Sequence, residues 1–297
     1  MAVIDRILAP NSAFQTRFFF LAKRFIAGQT IDSAIDAVRR LNGEGMKATL
    51  DFLGEDVVDR AEAERTRDVY LDMLDEIARE SVDTNVSVKL TALGLLIDRR
   101  LCTEFLTDLV ARAASNADPF VSIDMEGSAL TSQTLDVFED VYTTHRNVGP
   151  VIQAYLKRSP DDVERAIALG ARVRLCKGAY REPESVAYQS MPVIRREYVR
   201  LAEALLSRGN YPGIATHDDL LIETVKAYAG EHGIAKDRFE FQMLYGVRRD
   251  RQRALVGEGY AVRIYVPFGT HWAGYFYRRI TERRENALFA LRSLFSR

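Results

Sequence analysis

Cysteine is almost missing from this chain: its 297 residues hold two, Cys102 and Cys176, far apart and in unrelated contexts. Neither has a neighbour at the spacing of a zinc site or a dithiol motif. That excludes a disulfide scaffold and makes a reducing, intracellular setting the expectation. Long apolar runs are missing as well. Stretches such as residues 18–22 stop far short of the roughly 20 apolar residues that span a bilayer, and no secretory leader is expected. Bulk charge of one sign is also absent, with 41 Lys plus Arg against 42 Asp plus Glu, so nothing overall draws the chain to a polyanion. No G-x-G-x-x-G follows any apolar run, which removes the usual fingerprint of an open dinucleotide-binding sheet. Gly43-Glu44-Gly45 and Gly257-Glu258-Gly259 lack the third glycine and precede strand-like runs, as helix-to-strand turns do.

One absence is local. Residues 246–297 contain no Lys, but 11 Arg stand there with 4 acidic residues. Such a surplus suits nucleic acid or an anionic membrane surface, yet Glu282 and Glu285 interleave with it. A solvated helical face accounts for the pattern, and no nucleic-acid partner is expected.

What is present is a large apolar fraction, 47% of residues, cut into eight short runs: 46–54, 85–94, 120–127, 148–156, 171–180, 211–218, 239–246 and 261–269. Helical patterns lie between them. Val69, Met73 and Ile77 recur at fourfold spacing, and Ser159-Pro160-Asp161-Asp162 reads as a helix start with proline in the first turn. Strand and helix in alternation imply a parallel sheet, and eight such units close into an α/β (βα)8 TIM-type barrel. No Pro, Gly or Ser-rich linker interrupts the pattern, so a single structural domain is expected, with residues 1–45 as extra N-terminal helices and 46–297 as the barrel. Phe14, Phe18, Leu21 and Phe25 share a helical face, expected to pack beneath the barrel.

Chemistry in such barrels sits at the carboxyl ends of the strands. There the sequence places Asp51, Lys89, Asp124, Gln153, Arg174, Lys177, His217 and Tyr265. Taken singly, each is as compatible with a loop salt bridge as with catalysis. In the fifth run Arg172, Arg174 and Cys176 share a face by period two, so three cations including Lys177 are expected to converge. Gly178 and Ala179 allow backbone amides close to a phosphate, and Lys177 either neutralises it or serves as a Schiff-base amine. Thr216 and His217 can donate to one anion; alternatively, Asp218 caps a helix with a supporting histidine. A ligand with a diphosphate and a planar polar ring, such as a flavin dinucleotide, would use all these donors. Late in the chain Tyr275, Arg278, Arg279 and Glu282 lie on one side of a helical pattern. They form either a carboxylate clamp with Lys89 or a surface ladder with Glu282 paired to Arg278.

The motifs Ser87-Val88-Lys89-Leu90-Thr91, Ile123-Asp124, Gln153-Ala154-Tyr155, Arg174-Leu175-Cys176-Lys177-Gly178-Ala179-Tyr180, Thr216-His217, Gln242-Met243-Leu244-Tyr245-Gly246 and Tyr275-x-x-Arg278-Arg279 follow in one order. In this the chain resembles the monofunctional bacterial members of the proline dehydrogenase family, over about residues 46–286. The resemblance implies FAD-dependent oxidation of L-proline to Δ1-pyrroline-5-carboxylate, the first step of proline catabolism to glutamate. It also implies hydride transfer from C5 to flavin N5 and electrons passed to a membrane quinone. The implied barrel is distorted, its last helix lying over the mouth. By the same resemblance Asp124 and Arg174 are catalytic, and Lys89, Tyr265, Arg278 and Arg279 bind substrate. Met125, Gln153, Arg174, Lys177, Gly178, Ala179, Thr216, His217 and Glu282 hold the cofactor, and no metal is implied. The bulk of Tyr265 favours proline over hydroxyproline. The product would pass to a separate pyrroline-5-carboxylate dehydrogenase, and the location would be cytoplasmic, peripheral at the inner face of the membrane. Asp218 departs from the asparagine often found after Thr-His in the family. A lysine-dependent barrel aldolase using Lys177 is the enzymatic alternative.

Overall fold

The computed structural model describes residues 23–273 and residue 275. Each of the eight apolar runs contains one strand: β1 Lys47–Phe52, β2 Thr84–Val88, β3 Val121–Ile123, β4 Val148–Gln153, β5 Arg174–Cys176, β6 Gly213–Ala215, β7 Glu240–Leu244 and β8 Ala261–Phe268. All pair in parallel with their sequence neighbours, and β8 pairs with β1 from Lys47↔Arg263 to Phe52↔Phe268, closing the barrel. The expected (βα)8 architecture is therefore the one observed.

Among the described residues the barrel's helices are α1 Ile31–Gly43, α2 Arg60–Glu80, α3 Arg99–Ala113, α4 Thr131–Tyr142, α5 Ser159–Leu169, α6 Met191–Arg208, α7 Asp219–Glu231 and α8 Arg249–Gly257. Local chemistry sets their ends. Asp59 and Asp98 accept from first-turn amides of α2 and α3, Pro160 opens α5, and Gly170 closes it in the left-handed region. Thr30 and Ser33 form a capping box at the start of α1. Among the described residues no helix is long and apolar enough to cross a membrane.

Outward-facing Leu50, Val86, Ile123, Leu175, Ile214, Phe241 and Ile264 meet the inner faces of the helices in one continuous core. Each such burial is worth about 1.5–3 kcal/mol. The inward faces are different. A barrel of this kind is commonly filled with layers of branched apolar residues, whereas here the register brings Asp51, Ser87 and Ser122 into one row and Arg174, Gly213 and Glu240 into another. At the amino ends of the strands the buried Arg263 makes two bonds to Glu240, at 2.7 and 3.0 Å, and an ion pair with Asp118 at 2.8 Å. Arg172 joins Glu240 at 3.0 Å while lying between the rings of Phe120 and Tyr211, each centroid 4.5 Å away. This ionic plug floors the barrel and leaves its other end free for chemistry.

Arg172 thereby departs from the expectation that it converges with Arg174 and Lys177. Period two puts residues 172 and 174 on one face but separates them by roughly 6–7 Å along the strand, and the lower position falls within reach of Glu240. The N-terminal expectation also changes. Helix α1 packs on β1 and β8, the place where a regular barrel puts the helix that follows β8. It runs down the barrel, so the segment before it arrives at the mouth. Phe25 accordingly packs with Leu53, Trp272 and Tyr275 beside the mouth, not beneath the barrel, and Ala27 donates to the Pro267 carbonyl at 2.9 Å. Phe14, Phe18 and Leu21 lie outside the described residues. With its flank taken by α1, the chain leaving β8 turns across the mouth, where Tyr275 lines the cavity.

Candidate active site

A cavity of about 470 Å³ opens at the carboxyl ends of the strands, within the range of small-molecule and cofactor sites. Lys89, Asp124, Met125, Gln153, Arg174, Lys177, Gly178, Ala179, Thr216, His217 and Tyr265 all line it. Arg278, Arg279 and Glu282, the remaining site residues expected from the sequence, lie outside the described residues.

One wall is a closed polar network. Lys89 Nζ donates to both oxygens of the fully buried Asp51, at 3.0 and 3.1 Å, and reaches Asp124 Oδ2 at 3.5 Å and the Tyr265 hydroxyl at 3.4 Å. Tyr265 donates to Asp124 Oδ2 at 2.7 Å, while Asp124 Oδ1 accepts from Ser87 Oγ at 2.7 Å and Arg174 Nη1 at 2.9 Å. Burial by itself lowers the Lys89 ammonium, but Asp51 and Asp124 outweigh it and hold the group well above its ordinary value. Burial likewise works to raise Asp124, and Lys89 and Arg174 overcome it, leaving the carboxyl below the usual range. Burial followed by the two carboxylates pushes the Tyr265 phenol well up. Burial, with Asp124 beside it, works to raise the Asp51 carboxyl against the pull of Lys89, yet both its oxygens accept from the Lys89 ammonium, the geometry of a carboxylate, so the network reads Asp51⁻, Asp124⁻, Lys89⁺, Arg174⁺ and neutral Tyr265. It is balanced in charge, and Asp124 has its lone pairs taken by donors.

The wall formed by β4, β5 and β6 carries polar groups held in fixed orientations. Gln153 Nε2 donates to the Glu126 carbonyl at 3.0 Å, which fixes the amide orientation and leaves Oε1 toward Ala179 N at 3.4 Å. Leu244 N donates to His217 Nε2 at 2.9 Å, so Nδ1 carries the proton in the neutral ring. Gly178 has φ +107°, and a Cβ there would overlap the Tyr155 ring. Only glycine lets the turn after β5 approach so closely. Lys177 Nζ pairs with Asp218 Oδ2 at 3.1 Å. Asp218 holds the N-cap position of α7 without capping it, which corrects the helix-cap alternative. A Schiff-base lysine needs an unpaired, desolvated amine; Lys177 is paired and partly exposed, so the aldolase alternative lacks its nucleophile.

Several functional neighbours escaped the sequence reading. Asp51 was visible as a strand-end carboxylate, but its partner was not. Glu126 and Arg195 carry no local signal, because each acts through a residue distant in sequence: Glu126 through Thr91, and Arg195 through Asp218.

A closed parallel barrel with a cavity at its carboxyl strand ends into which several charged side chains converge is the architecture of a (βα)8 barrel enzyme. The family model described as proline dehydrogenase matches residues 34–292. "Proline dehydrogenase 2" of Bacillus subtilis (strain 168) is 41% identical over 274 residues, covering 92% of this chain and 90% of that protein. "Proline dehydrogenase" of Deinococcus radiodurans is 39% identical over 279 residues, with the same coverages. Among solved structures, Bdellovibrio bacteriovorus proline utilization A, inactivated by N-propargylglycine, superposes with a TM-score of 0.85 at 26% identity. The match covers 96% of this chain but 35% of that one, so the chain spans about a third of that protein. The chain belongs to the proline dehydrogenase family and is an oxidoreductase.

Proposed function

We propose that this protein catalyses the first step of proline catabolism, oxidising L-proline to Δ1-pyrroline-5-carboxylate with FAD and passing the electrons to a quinone. The observation that carries the reading is convergence. Side chains from β2, β3, β4, β5, β6 and β8 and the turns after them, far apart in sequence, line one cavity.

The residues present fit the cofactor. Two buried polar atoms on cavity-lining residues, Arg174 Nε and Gln242 Oε1, have no partner among the described residues, and such atoms call for a ligand or water. Gln153, with donor and acceptor oriented, suits the edge of the flavin ring; Lys177, Gly178, Ala179, Thr216 and His217, with Met125, would hold the remainder. Glu282 is assigned there by resemblance. FAD held there would supply the two-electron acceptor, its N5 the site for the hydride from proline C5.

The protein's own part is placement and electrostatics. Because the network of Asp51, Asp124, Lys89 and Arg174 balances its charges, the substrate carboxylate brings one negative charge too many. Arg278 and Arg279 would supply the compensation, at about 1.5–3 kcal/mol per charge-assisted bond. Lys89, locked by Asp51, presents a fixed ammonium to the same carboxylate. Tyr265 and Leu244 shape the apolar side against the ring. The spare donor of Arg174 offsets negative charge developing in the transition state. Neither Asp124 nor Lys89 is free to take the amine proton, so the substrate reacts as its uncharged amine after losing that proton to solvent. The quinone would be met at the membrane periphery, and a separate pyrroline-5-carboxylate dehydrogenase would take the product.

Anaerobic addition of L-proline to the purified protein tests the reading. The bound flavin spectrum should bleach, and a quinone analogue should restore it. A protein without flavin, or one whose flavin stays oxidised in proline, would rule the proposal out.

A further inference from the structure

The ion pairs around Asp218 take part in none of the steps above. Its carboxylate Oδ2 accepts from Lys177 Nζ at 3.1 Å, from the turn after β5, and from Arg195 Nε at 2.8 Å, from the first turns of α6. The amide of Asp218 donates to Thr216 Oγ1 at 3.1 Å, and its side chain gives α7 no cap. The positive end of that 13-residue helix therefore faces the cavity beside two cations. Lys177, Arg195, Asp218, Asp219 and Leu220 all line it. The side chains of Lys177 and Arg195 are 28% and 34% exposed while that of Asp218 is 9% exposed, so the carboxylate sits behind the cations and leaves them reachable. Burial works to raise the Asp218 carboxyl, but Arg195 and Lys177 hold it below the usual range, and it is charged at neutral pH.

We infer that Arg195 binds the diphosphate of the dinucleotide together with Lys177, and that Asp218 is a built-in competitor which occupies both cations and loosens the protein's hold on the cofactor. The inference rests on the flavin dinucleotide reading above. Electrostatics decides the direction. With Asp218 ionised, the three side chains carry one net positive charge. Asparagine of the same shape leaves two, facing a doubly anionic diphosphate at a helix N-terminus. The same carboxylate keeps Lys177 and Arg195 paired whenever the phosphates are away, which avoids two unpaired, partly buried cations.

The test is the rate of FAD release from diluted holoprotein, followed by the rise of free-flavin fluorescence. Asp218→Asn should slow release roughly tenfold, and Arg195→Gln should speed it by a similar factor, the scale of one charge-assisted interaction. Arg195→Lys should recover most of the loss, which separates lost charge from lost fold. An Asp218→Asn protein that releases FAD as fast as the parent, or faster, overturns the competitor role. Unchanged release from Arg195→Gln overturns the phosphate role. Flavin-loaded protein with unaltered release removes only this inference, whereas parent protein that neither contains nor takes up FAD removes the cofactor reading and this inference with it.

Discussion

Tyr265 reaches from β8 to β3 and donates its hydroxyl to Asp124 Oδ2 at 2.7 Å, while the Arg174 guanidinium lies 5.4 Å from the centroid of the same ring. One side chain thus touches both groups assigned to catalysis, with its ring on the cavity. Tyr265→Phe keeps the wall but removes the donor, and kcat/KM for proline should fall roughly tenfold to a hundredfold, as for a bond to a charged acceptor. Tyr265→Ser removes the wall, and the ratio of hydroxyproline to proline turnover should rise. A ratio unchanged in steady-state assays of the serine variant would remove Tyr265 from the specificity argument.

Asp124 is held below the ordinary carboxylate range by Lys89 and Arg174 against the opposing effect of burial. It is therefore ionised throughout the working range and contributes no inflection there. Asp124→Asn should lower kcat/KM by roughly a hundredfold, about 2.7 kcal/mol, across the whole pH profile. The rise of activity with pH, set by the substrate amine, should keep its midpoint. A midpoint displaced by the substitution would make Asp124 the proton acceptor.

At the barrel floor burial works to raise Glu240, but Arg263 and Arg172 bring its carboxyl down to about 2 from 4.5. A folded value below the unfolded one stabilises the native state above the unfolded value, and that stabilisation drains away as pH falls from about 4.5 toward 2. Glu240→Gln leaves Arg263 buried without its carboxylate and should cost about 3–5 kcal/mol at pH 7. Urea midpoints measured through the acid range should fall less steeply for the variant than for the parent. Parallel acid limbs would show that the pair adds no pH-linked stability.

The turn after β5 depends on Gly178, at φ +107° against the Tyr155 ring. Gly178→Ala should displace this turn, and the purified protein should carry much less flavin, read from the ratio of visible to ultraviolet absorbance. Normal flavin content would show that the close approach does not serve the cofactor.

Arg278→Met and Arg279→Met address the charge the network leaves uncompensated. Each should raise the apparent KM for proline strongly with flavin content unchanged. Retention of the parental KM would assign substrate anchoring to Lys89 alone.

Much of this was legible in the chain itself, and for one reason. Faces and periods are local properties: the spacing of eight apolar runs led to the closed barrel, and strand-end position led to Lys89, Asp124, Gln153, Arg174 and Tyr265, which all line the cavity. What only the tertiary structure decided is how each charge is used, since that depends on height along the barrel and on closure between distant strands. Arg172 and Arg174 look alike in sequence; one is taken up by Glu240 at the floor, the other by Asp124 at the mouth. Lys177, read as a candidate nucleophile, is tied to Asp218 with Arg195 of α6, and no local pattern could have named that third partner. Helix α1 on β1 and β8 occupies the flank that would otherwise take the chain after β8, and Tyr275 comes to the cavity because that place is filled.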